Sequence, residues 1–189
     1  MRPQPRTRPR IGPPTRAGRG GASTFAELDR VTEDLDRLLV DVLTSVLSAR
    51  ATPCRDEFGA GPQVKAWLAI HDRADDGYLG VTIRLGLPLA RVLAGRMMSV
   101  PDPSGEDVQD AVNELVNIAG GNVKSLFCPH ARLSLPSSEL LEAGGVAVQG
   151  IVIGAVVLDQ WVGLTLSPEV QALGLLWPPE HAPEGVDAR

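Results

Sequence analysis

Apolar residues recur every three or four positions early in the chain, at Phe25, Leu28, Val31, Leu35, Leu38, Leu39, Val42 and Val46. That spacing puts them on one side of a helix and predicts a long amphipathic helix over about residues 25–49. Thr24 and Glu27 fit a capping box at its start, the hydroxyl accepting from the backbone ahead and the carboxylate reaching back. The period then changes to two. Val64, Ala66, Leu68 and Ile70 alternate with Lys65, Trp67, Ala69 and His71, and Leu79, Val81, Ile83 and Leu85 alternate with their own neighbours. Two strands are predicted, joined by the polar turn Asp72-Arg73-Ala74-Asp75-Asp76-Gly77. A calcium loop is the competing reading of that turn. It fails because an EF-hand needs oxygen ligands where this chain has Ala74 and Ile83.

Pro88 suits the first turn of a short helix running to about Met98. Ser99-Val100-Pro101-Asp102-Pro103 breaks it, and Ser104 can cap a second helix running to about Phe127. Glu106 and Asp107 then sit favourably at its N-terminal dipole. Strands are predicted over Ala131–Leu135, Val146–Leu158 and Trp161–Ser167. Helices interleaved with hairpins give an α+β fold, with long helices packed on a mainly antiparallel sheet in two layers.

Composition changes the picture at the ends. Residues 1–23 hold six Arg and five Pro with no acid and almost no large apolar residue. Such a stretch buries too little to offset its ordering entropy and is expected to be a disordered tail, as are residues 178–189. Residues 24–177 form the expected domain. The chain carries a net charge of −5, and setting aside the six tail arginines leaves 12 basic against 23 acidic residues. A body this acidic argues against nucleic acid as a partner. No uninterrupted apolar run reaches membrane-spanning length, and no apolar segment follows the tail arginines as a secretory signal requires. The expected compartment is the cytoplasm, where Cys54 and Cys128 stay reduced. Neither cysteine nor His71, His130 or His181 stands at metal-ligand spacing, so no metal site is expected.

The second long helix carries the chemistry. Wound at about 100° per residue, Val108, Val112, Leu115, Ala119, Val123 and Leu126 form the core stripe. Asp110, Glu114, Asn117 and Gly121 gather on the opposite side. A polar outer face is ordinarily just solvated, but Gly120-Gly121 is costly inside a helix, at about 1 kcal/mol each relative to alanine. Either another element crosses closely there or a partner approaches the face bearing Asn117.

The string Asp110-x3-Glu114-x2-Asn117, followed by Ile118-Ala119-Gly120-Gly121-Asn122, resembles the Asp/Ser-x3-Glu-x2-Asn motif of the CheX/CheC/FliY chemotaxis phosphatases. The two strands and helix before it resemble that family's lead-in, and Leu133-Ser134-Leu135-Pro136 its Leu-Ser-x-Pro segment, so the likeness spans about residues 25–160. The resemblance implies a CheC-like fold and a hydrolase acting on the aspartyl phosphate of a response-regulator receiver domain. Glu114 would hold the receiver's active-site lysine and Asn117 would orient the attacking water, with Asp110 and Gly121 in the partner contact. Any Mg²⁺ would belong to the receiver, and the chain would need no cofactor of its own. The first helix has no second Glu-x2-Asn, since Arg30 follows Glu27 and Asp36 follows Glu33. One site per chain is implied, as in CheX. A non-catalytic receiver-binding or flagellar-switch-like scaffold is the alternative, though a scaffold needs neither Glu114 nor Asn117.

Assembly is the last expectation. From Val146 to Leu158 both alternating faces are largely apolar. A homodimer is expected, as the resemblance also implies; the competing reading has the first helix covering the second face.

Overall fold

A computed structural model describes residues 21–55, 61–72, 77–142 and 150–167, the first nine as backbone only. The first helix, α1, runs Gly21–Leu47. It opens ahead of Thr24, which therefore lies inside the helix and not at its cap. No proline stands between Pro14 and Thr24 to stop an earlier start. A short strand β1, Ala51–Cys54, follows, then β2 over Gln63–Asp72 and β3 over Gly77–Gly86. These two pair antiparallel from Gln63↔Gly86 to Asp72↔Gly77. Residues 73–76 of the expected turn lie outside the described residues, as do both expected tails except where α1 reaches back to Gly21. Helix α2, Leu87–Met98, has Pro88 in its first turn and ends at Ser99, whose φ of 57° turns the chain. Helix α3 runs Gly105–Phe127.

Four strands complete the chain: β4 Arg132–Leu133, β5 Ser137–Leu141, β6 Ile151–Val157 and β7 Gln160–Ser167. Two of them correct the expectation. The strand expected over Ala131–Leu135 shrinks to two residues because Ser134 takes over its pairing with β2. The Ser134 amide donates to the Ala69 carbonyl at 2.8 Å, while the Ser134 hydroxyl accepts from the Ala69 amide at 2.9 Å. The strand expected from Val146 is described only from Ile151. Gly150 precedes it with φ of 143° and its backbone lies against the Leu166 carbonyl, a conformation and a closeness that only glycine permits. The β6–β7 turn is Leu158-Asp159, both at positive φ (51° and 59°), as a two-residue hairpin of this twist requires.

The strands form one antiparallel sheet in the order β1-β6-β7-β3-β2, with β4 and β5 both pairing β2 at the far edge. All three helices pack on one face. There Val64, Leu68 and Ile70 of β2, Val81, Ile83 and Leu85 of β3, Ile153 and Val157 of β6, and Val162 and Leu164 of β7 are buried. They meet Leu35, Leu39 and Leu43 of α1, Leu89 and Leu93 of α2, and Val112, Leu115 and Val123 of α3. Each large side chain so buried contributes about 1.5–3 kcal/mol relative to exposure, and this shared core fixes α3 on the sheet. The result is a two-layer α+β fold.

The opposite sheet face carries no helix among the described residues, so α1 does not cover it. Trp161 lies across that face over Gly154 and Gly163, where a Cβ on Gly154 would stand 2.6 Å from the indole Nε1. Lys65 Nζ rests 4.5 Å from the Trp67 ring centroid and 3.0 Å from Glu139 Oε1. Trp67 and Trp161 are thus packing residues. Val152 on this face is 50% exposed.

Candidate functional site

Helix α3 owes its start to a reciprocal cap. The Ser104 hydroxyl accepts from the Asp107 amide at 3.2 Å, and the Asp107 carboxylate accepts from the Ser104 amide at 2.8 Å. The Ser104 hydroxyl also donates to that carboxylate at 2.7 Å. Hydrogen bonding from Ser104, side chain first and backbone second, holds the Asp107 carboxyl below the ordinary aspartate range. The helix then runs unbroken through Gly120-Gly121 to Phe127.

Burial divides α3 as its winding requires. Val108, Ala111, Val112, Leu115, Val116, Ala119, Gly120 and Val123 are buried, while Asp110 and Glu114 are exposed and Asn117 and Gly121 half-buried. Leu126 corrects the expected core stripe: it is 53% exposed, because the last turn of α3 carries it clear of the core. The four candidate residues therefore share one accessible face. Asn117 Nδ2 donates to Glu114 Oε2 at 3.4 Å, so the carboxamide and carboxylate sit side by side on the exposed side of the helix. The pair offers an acceptor for a cation and an adjacent group that can donate and accept at once.

The two glycines separate. A Cβ on Gly120 would stand 2.8 Å from both Leu68 methyl carbons, so its bareness is a packing requirement of the helix on β2. A Cβ on Gly121 would meet nothing within 4 Å. Nothing inside the described chain needs that position empty.

Other chemistry is poorly provided for. Among the described residues no group of three or more His, Cys, Asp and Glu could hold a metal ion. The Cys128 thiol is pushed up by burial and then by the Asp72 charge, away from the thiolate a nucleophile requires. No described helix is long and apolar enough to cross a membrane.

The family described as "Chemotaxis phosphatase CheX" matches residues 67–149, a span that includes the whole of α3. That span is similar to the CheX family, and the fold is shared with solved CheX and CheC-like structures. Chemotaxis protein CheX from Vibrio vulnificus is similar over 71% of this chain and 97% of its own, at 17% identity and a TM-score of 0.55. CheX from Desulfovibrio desulfuricans covers 74% of this chain and 99% of its own, at 13% identity and a TM-score of 0.59. A complex of CheX with CheY, BeF3 and Mg²⁺ from Borrelia burgdorferi covers 71% and 96%, at 14% identity and a TM-score of 0.50. No curated protein sequence matches the chain.

Proposed function

We propose that this protein hydrolyses the aspartyl phosphate of a response-regulator receiver domain, with Glu114 and Asn117 entering the receiver's active site together. The observation that carries the reading is the side-by-side placement of the two on one accessible turn of α3, 3.4 Å apart. A match to the CheX family over that helix supports it. So does the existence of a solved Borrelia CheX complex with CheY, BeF3 and Mg²⁺.

Phosphoryl transfer through a loose transition state needs a positioned nucleophile and charge stabilisation more than a strong base. Asn117 supplies the position: its carbonyl oxygen accepts from a water while its amide donates, aligning the water with phosphorus opposite the aspartyl oxygen. As the P–O bond to the receiver's aspartate breaks, water's oxygen bonds phosphorus, giving inorganic phosphate and a free carboxylate. Glu114 pairs with the receiver's lysine, which anchors the helix and holds the water's approach fixed. Asp110, one turn earlier, and Gly121, one turn later, complete the contact. The Mg²⁺ belongs to the receiver's acidic pocket, and this chain needs no cofactor of its own. A homodimer is proposed as the assembled form, one exposed α3 face on each subunit.

The test is a panel of purified receivers from the same genome, each acyl-phosphorylated and followed for loss of phosphate with and without this protein. At least one is expected to lose phosphate well above its own decay rate. A panel with no acceleration contradicts the reading.

A further inference from the structure

Two grooves flank α3. One of roughly 540 Å³ lies between α1 and α3, with Leu38, Val42 and Val46 facing Ile118, Asn122 and Leu126. Asp41 and the Asp34–Arg37 ion pair, 3.3 Å, line it beside these apolar residues. The other, of roughly 500 Å³, lies toward α2 and is lined by Val64, Leu87, Arg91, Glu106, Gln109 and Leu140.

We infer that the receiver docks along the C-terminal half of α3, its surface crossing the bare Gly121 and setting an apolar side chain into the α1–α3 groove; the inference rests on the phosphatase reading above. Three observations point this way. The empty space over Gly121 adjoins Asn117 on the C-terminal side, and no residue of the described chain uses it. A mid-helix glycine costs about 1 kcal/mol relative to alanine, so its place here needs an approaching surface to explain it. Continuity is the second. Ile118 follows Asn117 directly, and Asn122 lies about 7.5 Å further along the axis, whereas Gln109 and Glu106 lie about 12 Å or more upstream. Charge is the third. Upstream of Glu114 the helix carries Glu106, Asp107 and Asp110, while downstream its one charged residue is Lys124. The larger part of a phosphoryl-bearing surface therefore follows the less acidic downstream half, with Asp110 at the contact's upstream edge. Leu126, 53% exposed at the groove's end, supplies apolar area for such a contact without being part of the core.

The experiment uses the full chain, one receiver held by beryllium fluoride and Mg²⁺ for calorimetry, and the same receiver phosphorylated for turnover. Gly121→Ala and Leu126→Gln are each expected to weaken binding about tenfold and raise KM alike, with kcat changed less than about twofold. Gln109→Ala, in the other groove, is expected to bind as wild type. Gly121→Ala should melt no lower than wild type, which separates a lost contact from a lost fold. Wild-type affinity in both Gly121→Ala and Leu126→Gln overturns the inference, and so does loss of binding in Gln109→Ala alone. A wild-type chain that binds the receiver without releasing phosphate overturns the phosphatase reading instead, and the same affinities still decide the groove. A wild-type chain with no affinity for any receiver overturns both.

Discussion

Gly120 and Gly121 are adjacent, identical and opposite in what they do. Gly120 gives room to the Leu68 methyls, and a methyl added there overpacks a fully buried side chain. Gly120→Ala is expected to lower stability by about 1 kcal/mol, the overpacking exceeding the gain in helix propensity. Gly121→Ala has only the propensity gain and is expected to raise stability by up to about 1 kcal/mol. Thermal melts of the two variants should therefore move in opposite directions, and a shared direction would contradict the assignment. From sequence the glycines were indistinguishable: the pair announced that a bare backbone was wanted, but which neighbour wanted which residue depends on how β2 lies beneath α3. The candidate residues themselves were legible, since Asp110, Glu114, Asn117 and Gly121 share a face by winding alone. That the Glu114 and Asn117 side chains meet at 3.4 Å is a matter of rotamers, which no spacing rule supplies.

At the scale of the element, α3 depends on its cap. Ser104→Ala removes the acceptor for the Asp107 amide and is expected to cost about 1 kcal/mol at neutral pH. The pH dependence follows from the direction of the Asp107 shift. Its folded carboxyl titrates below its unfolded one, so the stabilisation is present above the unfolded value and is lost as pH falls through the folded value. The deficit of Ser104→Ala measured by chemical denaturation should accordingly narrow in acid; a deficit independent of pH would place the cap's stabilisation elsewhere. Periodicity found β2, β3, β7, α2 and α3 closely because each has one buried face repeating along its length. It missed β1, Ala51–Cys54, and β5, Ser137–Leu141, for the converse reason. Both are edge strands with short or polar sequences, and their pairing is set by β6 and β2 far along the chain. Leu126 was misread because helical phase continues past the point where the core ends.

At the scale of the whole molecule, the open sheet face bears on assembly. Strand β6 is interior, paired to β1 and β7, so its apolar character on the helix side is explained within the chain. On the other side Val152 is 50% exposed and Val156 half-buried, and the proposed homodimer gives that surface and the short edge strands a partner. Light scattering of the full chain at micromolar concentration should give about 40 kDa, twice the 20.0 kDa of one chain, and a single 20.0 kDa species would contradict the dimer. The α+β class and the two-layer stacking of helices on a sheet were legible in the sequence, whereas which residues line the open face was not, since that follows from how all three helices choose one side. The proposed hydrolysis turns on one carboxamide. Phosphate release and binding should be measured together for wild type and Asn117→Ala against one phosphorylated receiver. Asn117→Ala is expected to keep its affinity and to lose at least about a hundredfold in turnover, because only placement of the water is removed. Turnover by Asn117→Ala at the wild-type rate would contradict it.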